Sequence, residues 1–245
     1  MHVRVLTIAG LDPCTGAGMT ADVRMIHARG GDVAAVASCL TVQNRHGFQR
    51  AEPVDAKWLT DAIAAVFDDG PVDAVKVGMI ADASTVDLVA SALATRSVPI
   101  VVDPVFSATA QGYDAAEQIP ERLRDELLPM ATVVTPNQRE LARLGTVEDL
   151  LERCAVLVTG GDAGGTDVVD VLHTSDGTRE FRFERLPHET PIHGTGCALS
   201  TVIAFYLGGG APLEVACGAA IEDVRNCIAA TPEEGAGAVV PLRVV

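Results

Sequence analysis

The chain is poor in aromatic residues, in positive charge and in long apolar runs, and each shortage excludes something. Aromatics are only 4% of the 245 residues while 48% are apolar, so the core has to be built mainly from Val, Leu, Ile and Ala. Lys and Arg number 18 against 33 Asp and Glu, a formal net charge of −15. Such a surface repels nucleic acid and anionic membranes. It leaves room for a phosphorylated small molecule, which a metal and a few backbone N–H groups can hold locally. No apolar run reaches the length of a membrane span. The N-terminal "MHVRVLTIAG" reads as a strand, without a signal peptide's charged and apolar regions. No Cys-x-x-Cys pair and no Cys/His cluster has zinc spacing. The six cysteines, at 14, 39, 154, 197, 217 and 227, read as reduced thiols in a cytoplasmic protein, with Cys39 and Cys154 as small core residues. No repeat, low-complexity segment or linker divides the sequence, so one α/β domain over 1–245 is expected.

What is present is alternation. Strands are expected at 3–10, 32–44, 73–79, 99–104, 131–136 and 154–161. Between and after them, helices are expected at 15–31, 55–69, 82–94, 117–129, in "NQRELARL", at 194–208 and at 212–230. "DVVDVLHTSDGTREFRFERL" (167–186) alternates polar and apolar residues around Ser-Asp-Gly and predicts a β-hairpin. The buried strands are continuous apolar runs, as in a mostly parallel sheet covered on both faces, a three-layer α/β/α sandwich. In such sheets ligands bind beyond the carboxyl ends of the strands. Those ends carry the unusual residues here.

"LDPCTGAGMTAD" (11–22) is a glycine-rich turn before a helix, either a tight structural turn or a place where a ligand meets backbone N–H groups. It lacks the Gly-Lys-Ser/Thr of a Walker loop and the spacing of a dinucleotide fingerprint. "HGTGC" (193–197) opens an apolar helix. The first N–H groups of a helix are unpaired and its dipole favours negative charge, so Gly194, Thr195, Gly196 and Cys197 can form an anion hole. At that position the Cys197 thiol pKa is expected to fall, unless Cys197 simply packs the helix start. Asp103 after "VV", with Asn137 and Glu140 in "TPNQRE", could hold Mg²⁺ through water. Asn137 and Glu140 also fit a capping box, and both readings can hold together. Gln43, at the end of a buried strand, either satisfies a core backbone group or reads a heterocycle that offers a donor beside an acceptor. His46, His173 and His193 have no ligand spacing and are expected at the surface or at caps.

Taken in order, "TIAGLDPCTGAGMTAD", "TVQN", "KVGM", "DP", "TPNQRE" and "HGTGC" resemble the hydroxymethylpyrimidine/phosphomethylpyrimidine kinases of thiamine biosynthesis, which have the ribokinase-like fold. The resemblance spans essentially the whole chain. Cysteine at 197 is informative, because sugar kinases of this fold usually place Asp there. The resemblance implies ATP-dependent phosphorylation of 4-amino-5-hydroxymethyl-2-methylpyrimidine and of its monophosphate. It implies Gly10, Ala17, Asp22, Gln43 and Met79 around the aminopyrimidine, with Val105 nearby. It implies Asp103 and Glu140 at Mg²⁺ and the ATP phosphates, Asn137, Glu140 and Thr159 on the ATP side, and Gly194 to Cys197 at the transferred phosphoryl group. A homodimer is implied as well. The alternatives are a pyridoxal or pyridoxine kinase of the same fold and a low-activity pyrimidine-binding protein. Two departures stand out. No Lys follows Asp-Pro-Val in "DPVFSATAQG", and "TGGD" (159–162) stands where many such enzymes have Lys-Gly-Gly-His. Both lysines would face ATP phosphates. Their absence points to an arginine from elsewhere, to slower turnover or to a lost activity.

Overall fold

The computed structural model describes residues 2–106, 114–233 and 239–245. "SATAQG" of the Asp-Pro-Val segment lies outside these residues. A nine-stranded sheet runs through the chain in the order β3-β2-β1-β4-β5-β6-β7-β8-β9. Its parallel part is β1 (Arg4–Leu11), β2 (Asp32–Asn44), β4 (Ala74–Val77), β5 (Ile100–Val102), β6 (Val133–Val134) and β7 (Ala155–Val158). Three strands are antiparallel to their neighbours: β3 (Gly47–Pro53) at one edge, and β8 (Asp167–Thr174) with β9 (Gly177–Glu184) at the other. The last two are the expected hairpin.

The continuous apolar runs explain the layering. Each face of a strand such as "AVKV" is buried, so both faces need helices. Along one face lie α1 (Gly18–Ala28), α7 (Thr195–Gly208) and α8 (Leu213–Ala230), whose Met25, Ile203 and Ile221 meet Val5 and Val101. Against the other pack α2 (Ala56–Asp68), α3 (Ala83–Leu93), α4 (Gln118–Arg122), α5 (Gln138–Leu144) and α6 (Val147–Leu151), whose Leu59, Val89 and Leu144 meet Leu6, Val75 and Val102. The core is aliphatic, and the one Trp, Trp58, is 50% exposed. Helix starts follow the sequence signals. Asp55 accepts from the Trp58 N–H at 2.9 Å and Asp82 from the Thr85 N–H at 2.7 Å, each cap stabilising by about 1 kcal/mol.

The structure departs from the expected elements in a few places. The helix expected at 117–129 is α4 followed by a π-turn (Leu123–Leu127) and a 3₁₀ turn (Leu128–Met130); Pro129 has no N–H to continue an α-ladder. Helix α6 has only five residues and is held by a Thr146–Asp149 capping box. Strand β3 has no apolar alternation and ends in Pro53, which an edge strand tolerates. A two-stranded parallel pair, β10 (Ile192–His193) with β11 (Val240–Pro241), ties the C-terminal segment to the start of α7. Among the described residues no helix is long and apolar enough to cross a membrane.

Candidate active site

The strand order lays out the strand-end residues in a row. From β2 to β7 they are Gln43, Gly10, Met79, Asp103, Asn137 and Thr159. Five inter-strand gaps of about 4.8 Å make this row roughly 24 Å long. The chain leaves β1 for β2 on one side and later returns to β4 on the other, so the topological switch point lies beside β1, where such sheets take ligands. The register of β1 against β2 shifts between Ala9 and Gly10, a bulge at the mouth of the site.

Glycines let the loops close over this row. Gly10 lies under Met79 and Cys39; a Cβ on it would stand 3.0 Å from the Cys39 Sγ and 3.3 Å from the Met79 Sδ. Gly194 caps α7 at φ +93°, and a Cβ there would stand 1.9 Å from the Gly16 carbonyl oxygen. The turn before α7 is thereby pressed, backbone to backbone, onto the 12–17 loop. Asp12 organises that loop from inside. Its carboxylate accepts from the N–H groups of Cys14 (2.8 Å), Gly16 (3.0 Å) and Ala17 (3.0 Å) and lies 3.4 Å from His193 Nε2. Burial works against the charge of Asp12, but His193 and the N–H groups of Cys14 and Ala17 outweigh it and hold the carboxyl below the usual range. Asp12, Cys14, Gly16, Gln43 and His193 line a narrow cleft between the two loops. Gln43 donates one amide N–H to Thr41 Oγ1 (3.0 Å); the rest of its amide is uncommitted among the described residues.

Beneath the middle of the row lies a buried ionic network. Lys76, one of two lysines in the chain, is fully buried and donates to both oxygens of Asp22 at 2.9 and 3.1 Å; Asp103 is 4.0 Å away. Thr7 and Thr201 donate to Asp22 at 2.5 and 2.6 Å, and Ser200 to Asp103 at 3.2 Å. Burial disfavours the ammonium, yet Asp22, Cys197 and Asp103 hold the Lys76 pKa above its ordinary value. Helix α7 packs across β1, β4 and β5 and brings Cys197 to this network. Here the expectation of a lowered thiol pKa is corrected. Burial of the sulfur pushes the thiol up; Lys76 pulls it back, Asp103 and Asp22 push it further, and the Gly18 N–H favours the thiolate. The N–H that favours the thiolate belongs to the start of α1, not to the helix that carries Cys197, and desolvation is larger.

Further along, Asn137 and Glu140 do form the capping box: Asn137 Oδ1 accepts from the N–H groups of Arg139 and Glu140 (both 2.9 Å), and Glu140 Oε2 from the Asn137 N–H (2.9 Å). Burial first, then the charge of Asp103, raises the Glu140 pKa to about 8. Residue 137 bridges to Thr159, which brings the β6 and β7 ends together. Val105 N–H donates to the Asp103 carbonyl at 2.9 Å, closing a tight turn just beyond β5. Among the described residues no three His, Cys, Asp or Glu side chains converge as a metal cage. Asp103 and Glu140 nevertheless suit Mg²⁺, a hard ion that keeps water and takes only one or two carboxylates from protein. Both carboxyls are raised by burial and by neighbouring negative charge, a condition that a cation relieves.

The raised Glu140 pKa carries a prediction for the metal-free protein. Its folded value lies above the unfolded 4.5, so the native state binds the extra proton between these values. Stability therefore falls as pH rises from about 4.5 to about 8, with a slope approaching 1.4 kcal/mol per unit for one proton. Glu140→Gln is expected to remove most of this slope, with Asp103 and Asp170, whose carboxyls burial also raises, contributing to the remainder. Urea midpoints at pH 5 and 8 that shift equally in both proteins would refute it.

Two further expectations change. Asp22, placed by resemblance around the aminopyrimidine, has no exposed surface. It supports the floor of the site through Lys76 and the two threonines, because a carboxylate with three donors around it is satisfied in the interior. His193, expected at the surface or at a cap, is 9% exposed against Asp12. Sequence reading missed Asp12, Lys76, Thr7 and Thr201. The signal available for Lys76 was a lone lysine inside a buried strand, which has to be paired.

Comparison with known proteins bears on the family and the fold. The phosphomethylpyrimidine kinase family model matches residues 12–242. The hydroxymethylpyrimidine/phosphomethylpyrimidine kinase of Streptomyces coelicolor is 38% identical over 249 residues, covering 95% of this chain and 91% of that protein. The phosphomethylpyrimidine kinase of Clostridium difficile superposes with a TM-score of 0.78 at 28% identity, over 92% of this chain and 99% of that one. The ADP complex of Bacillus subtilis pyridoxal kinase superposes with a TM-score of 0.86 at 26% identity, over 99% and 97%.

Proposed function

Because the chain belongs to the phosphomethylpyrimidine kinase family, we propose that, as a single domain, it transfers the γ-phosphoryl group of ATP to the hydroxymethyl oxygen of 4-amino-5-hydroxymethyl-2-methylpyrimidine and then to the monophosphate. The observation that carries this reading is the family match over 12–242, which includes every strand-end residue of the row except Gly10.

In this reading Gln43 pairs with the ring nitrogen and exocyclic amine, against Gly10, Ala17 and Met79, with Val105 nearby. Asn137 and Thr159 flank the nucleotide at the other end of the row. Asp103 and Glu140 hold Mg²⁺ and its waters; the ion neutralises phosphate charge when bound. The substrate oxygen attacks phosphorus, the bond to ADP breaks, and the hydroxyl proton leaves. The N–H groups of Gly194 to Cys197 collect the charge on the moving phosphoryl oxygens, and Cys197, once in its thiolate form, accepts the proton. Asp103 is one cause of the raised thiol pKa, so any cation that neutralises Asp103 moves Cys197 toward thiolate. Positioning and charge stabilisation supply most of the catalysis of such transfers. Six free cysteines support a reducing, cytoplasmic setting. Exposed Leu40 and Val42 on β2 support a homodimer, which light scattering checks.

The direct test is ATP consumption with each candidate alcohol. Turnover with the hydroxymethylpyrimidine and none with pyridoxal is the expected result. The likeness to the Bacillus subtilis pyridoxal kinase makes the reverse outcome the second reading. Gln43→Leu is expected to weaken pyrimidine binding by about 2–4 kcal/mol, summed over two hydrogen bonds, and to leave ATP binding unchanged. Calorimetric titration of both ligands checks this, and undiminished pyrimidine binding would take Gln43 out of the site.

A further inference from the structure

We propose that Arg185 is the positioning residue of the nucleotide end of the site: it shapes the 160–165 loop through three carbonyl oxygens and keeps its positive charge for an incoming phosphate. This rests on the kinase reading above.

The loop Gly160–Gly165 leaves the carboxyl end of β7, next to the Asn137–Thr159 bridge. Four of its six residues are glycine, and a Cβ at 161, 164 or 165 would meet nothing within 4 Å. So glycine-rich a segment loses much backbone entropy when it is fixed, and something has to fix it. At its inner end the Gly160 N–H donates to Asp170 Oδ1 at 2.8 Å, and Gly160 is pressed on the Val169 carbonyl. At its outer end the agent is Arg185, the residue after β9. Its Nε donates to the Gly165 carbonyl at 3.0 Å, its Nη1 to the Gly161 carbonyl at 2.9 Å and its Nη2 to the Ala163 carbonyl. Its backbone N–H donates to the Thr166 carbonyl at 2.7 Å. One planar guanidinium thus reads three carbonyls of a single loop, which the point charge of a lysine does not do.

Carbonyls do not neutralise the guanidinium. No carboxylate pairs with Arg185 among the described residues, and three bonds leave two of its five N–H donors free. The surroundings need that charge. Asp162 lies in this loop itself, and Asp103 and Glu140 stand at the neighbouring strand ends, so this end of the row carries carboxyl groups before a polyphosphate arrives. Two other cations of this region are committed elsewhere: Lys76 to Asp22, and Arg143 to Asp114 at 2.7 Å and to the carbonyls of Phe106 and Ala115; Arg139, in the Asn137–Glu140 turn, is exposed. No lysine occurs in the loop.

The test is a titration of the full chain with ADP and with ATP, beside steady-state kinetics. Arg185→Ala is expected to weaken nucleotide binding at least roughly tenfold, as loss of a hydrogen bond to a charged group does. KM for ATP should rise by a similar factor, with kcat, melting temperature and pyrimidine binding without nucleotide little changed. Added guanidinium at low concentration should restore part of the ATP affinity. Arg185→Lys, which keeps charge without the fork, should fall between, and Arg185→Gln should resemble alanine. Nucleotide affinity unchanged in Arg185→Ala, or pyrimidine binding lost together with it, would overturn the proposal. Failure of the wild type to phosphorylate any candidate alcohol would sink the kinase reading, while the ADP titration still decides Arg185.

Discussion

Replacing Cys197 by alanine is expected to lower kcat by about 10²–10⁴-fold, the usual worth of a side chain that accepts a proton in the transition state, while pyrimidine and ATP affinities stay close to wild type. The substitution keeps every backbone donor of the 194–197 turn and removes only the sulfur. Cys197→Asp is expected to recover part of the rate, since a carboxylate supplies an acceptor at the same place. It also sets a third carboxylate beside Asp22 and Asp103 around the single ammonium of Lys76, whose charge is already shared between those two. The aspartate variant should therefore melt below both wild type and the alanine variant. Turnover numbers and melting temperatures of the two variants separate the possibilities. A packing cysteine predicts near-normal turnover in the alanine variant, and that result would leave the anion hole in place but end the case for the thiol.

Lys76→Met is expected to destabilise the fold by about 3–5 kcal/mol, the cost of leaving one member of a buried ion pair without its partner. Asp22 would keep only the hydroxyls of Thr7 and Thr201, and Asp103 would lose its nearest cation. The double variant Lys76→Met/Asp22→Leu is expected to regain most of the stability, because removing both charges of a buried pair is often neutral. It should not regain activity, since Asp103 and Cys197 would still lack the ammonium beneath them. Urea unfolding of the three proteins, with assays on those that stay folded, checks both halves. A single variant as stable as wild type would show that the pair contributes nothing to the fold.

Several features of this molecule are local, and the sequence alone determined them. The alternation of apolar runs with helical segments follows from side-chain periodicity, and it led to the parallel sheet with helices on both faces. The Asn137–Glu140 capping box is set by a spacing of three residues, and the β8–β9 hairpin by its Ser-Asp-Gly turn. The order of strand-end motifs was likewise legible, because each lies within a few residues of a recognisable strand. What only the tertiary structure decided depends on partners far away in the chain. Asp22 meets Lys76 across 54 residues and Thr201 across 179, and no periodicity specifies which buried cation a carboxylate finds. The contact of Gly194 on Gly16 and the Asp12–His193 pair arise where two loops close over the same strand end. The thiol of Cys197 shows the physical reason most plainly. Its place at a helix start is written in "HGTGC" and argues for a lowered pKa; the burial and the two carboxylates that raise it come from strands and helices packed around it, and desolvation exists only once the chain has folded.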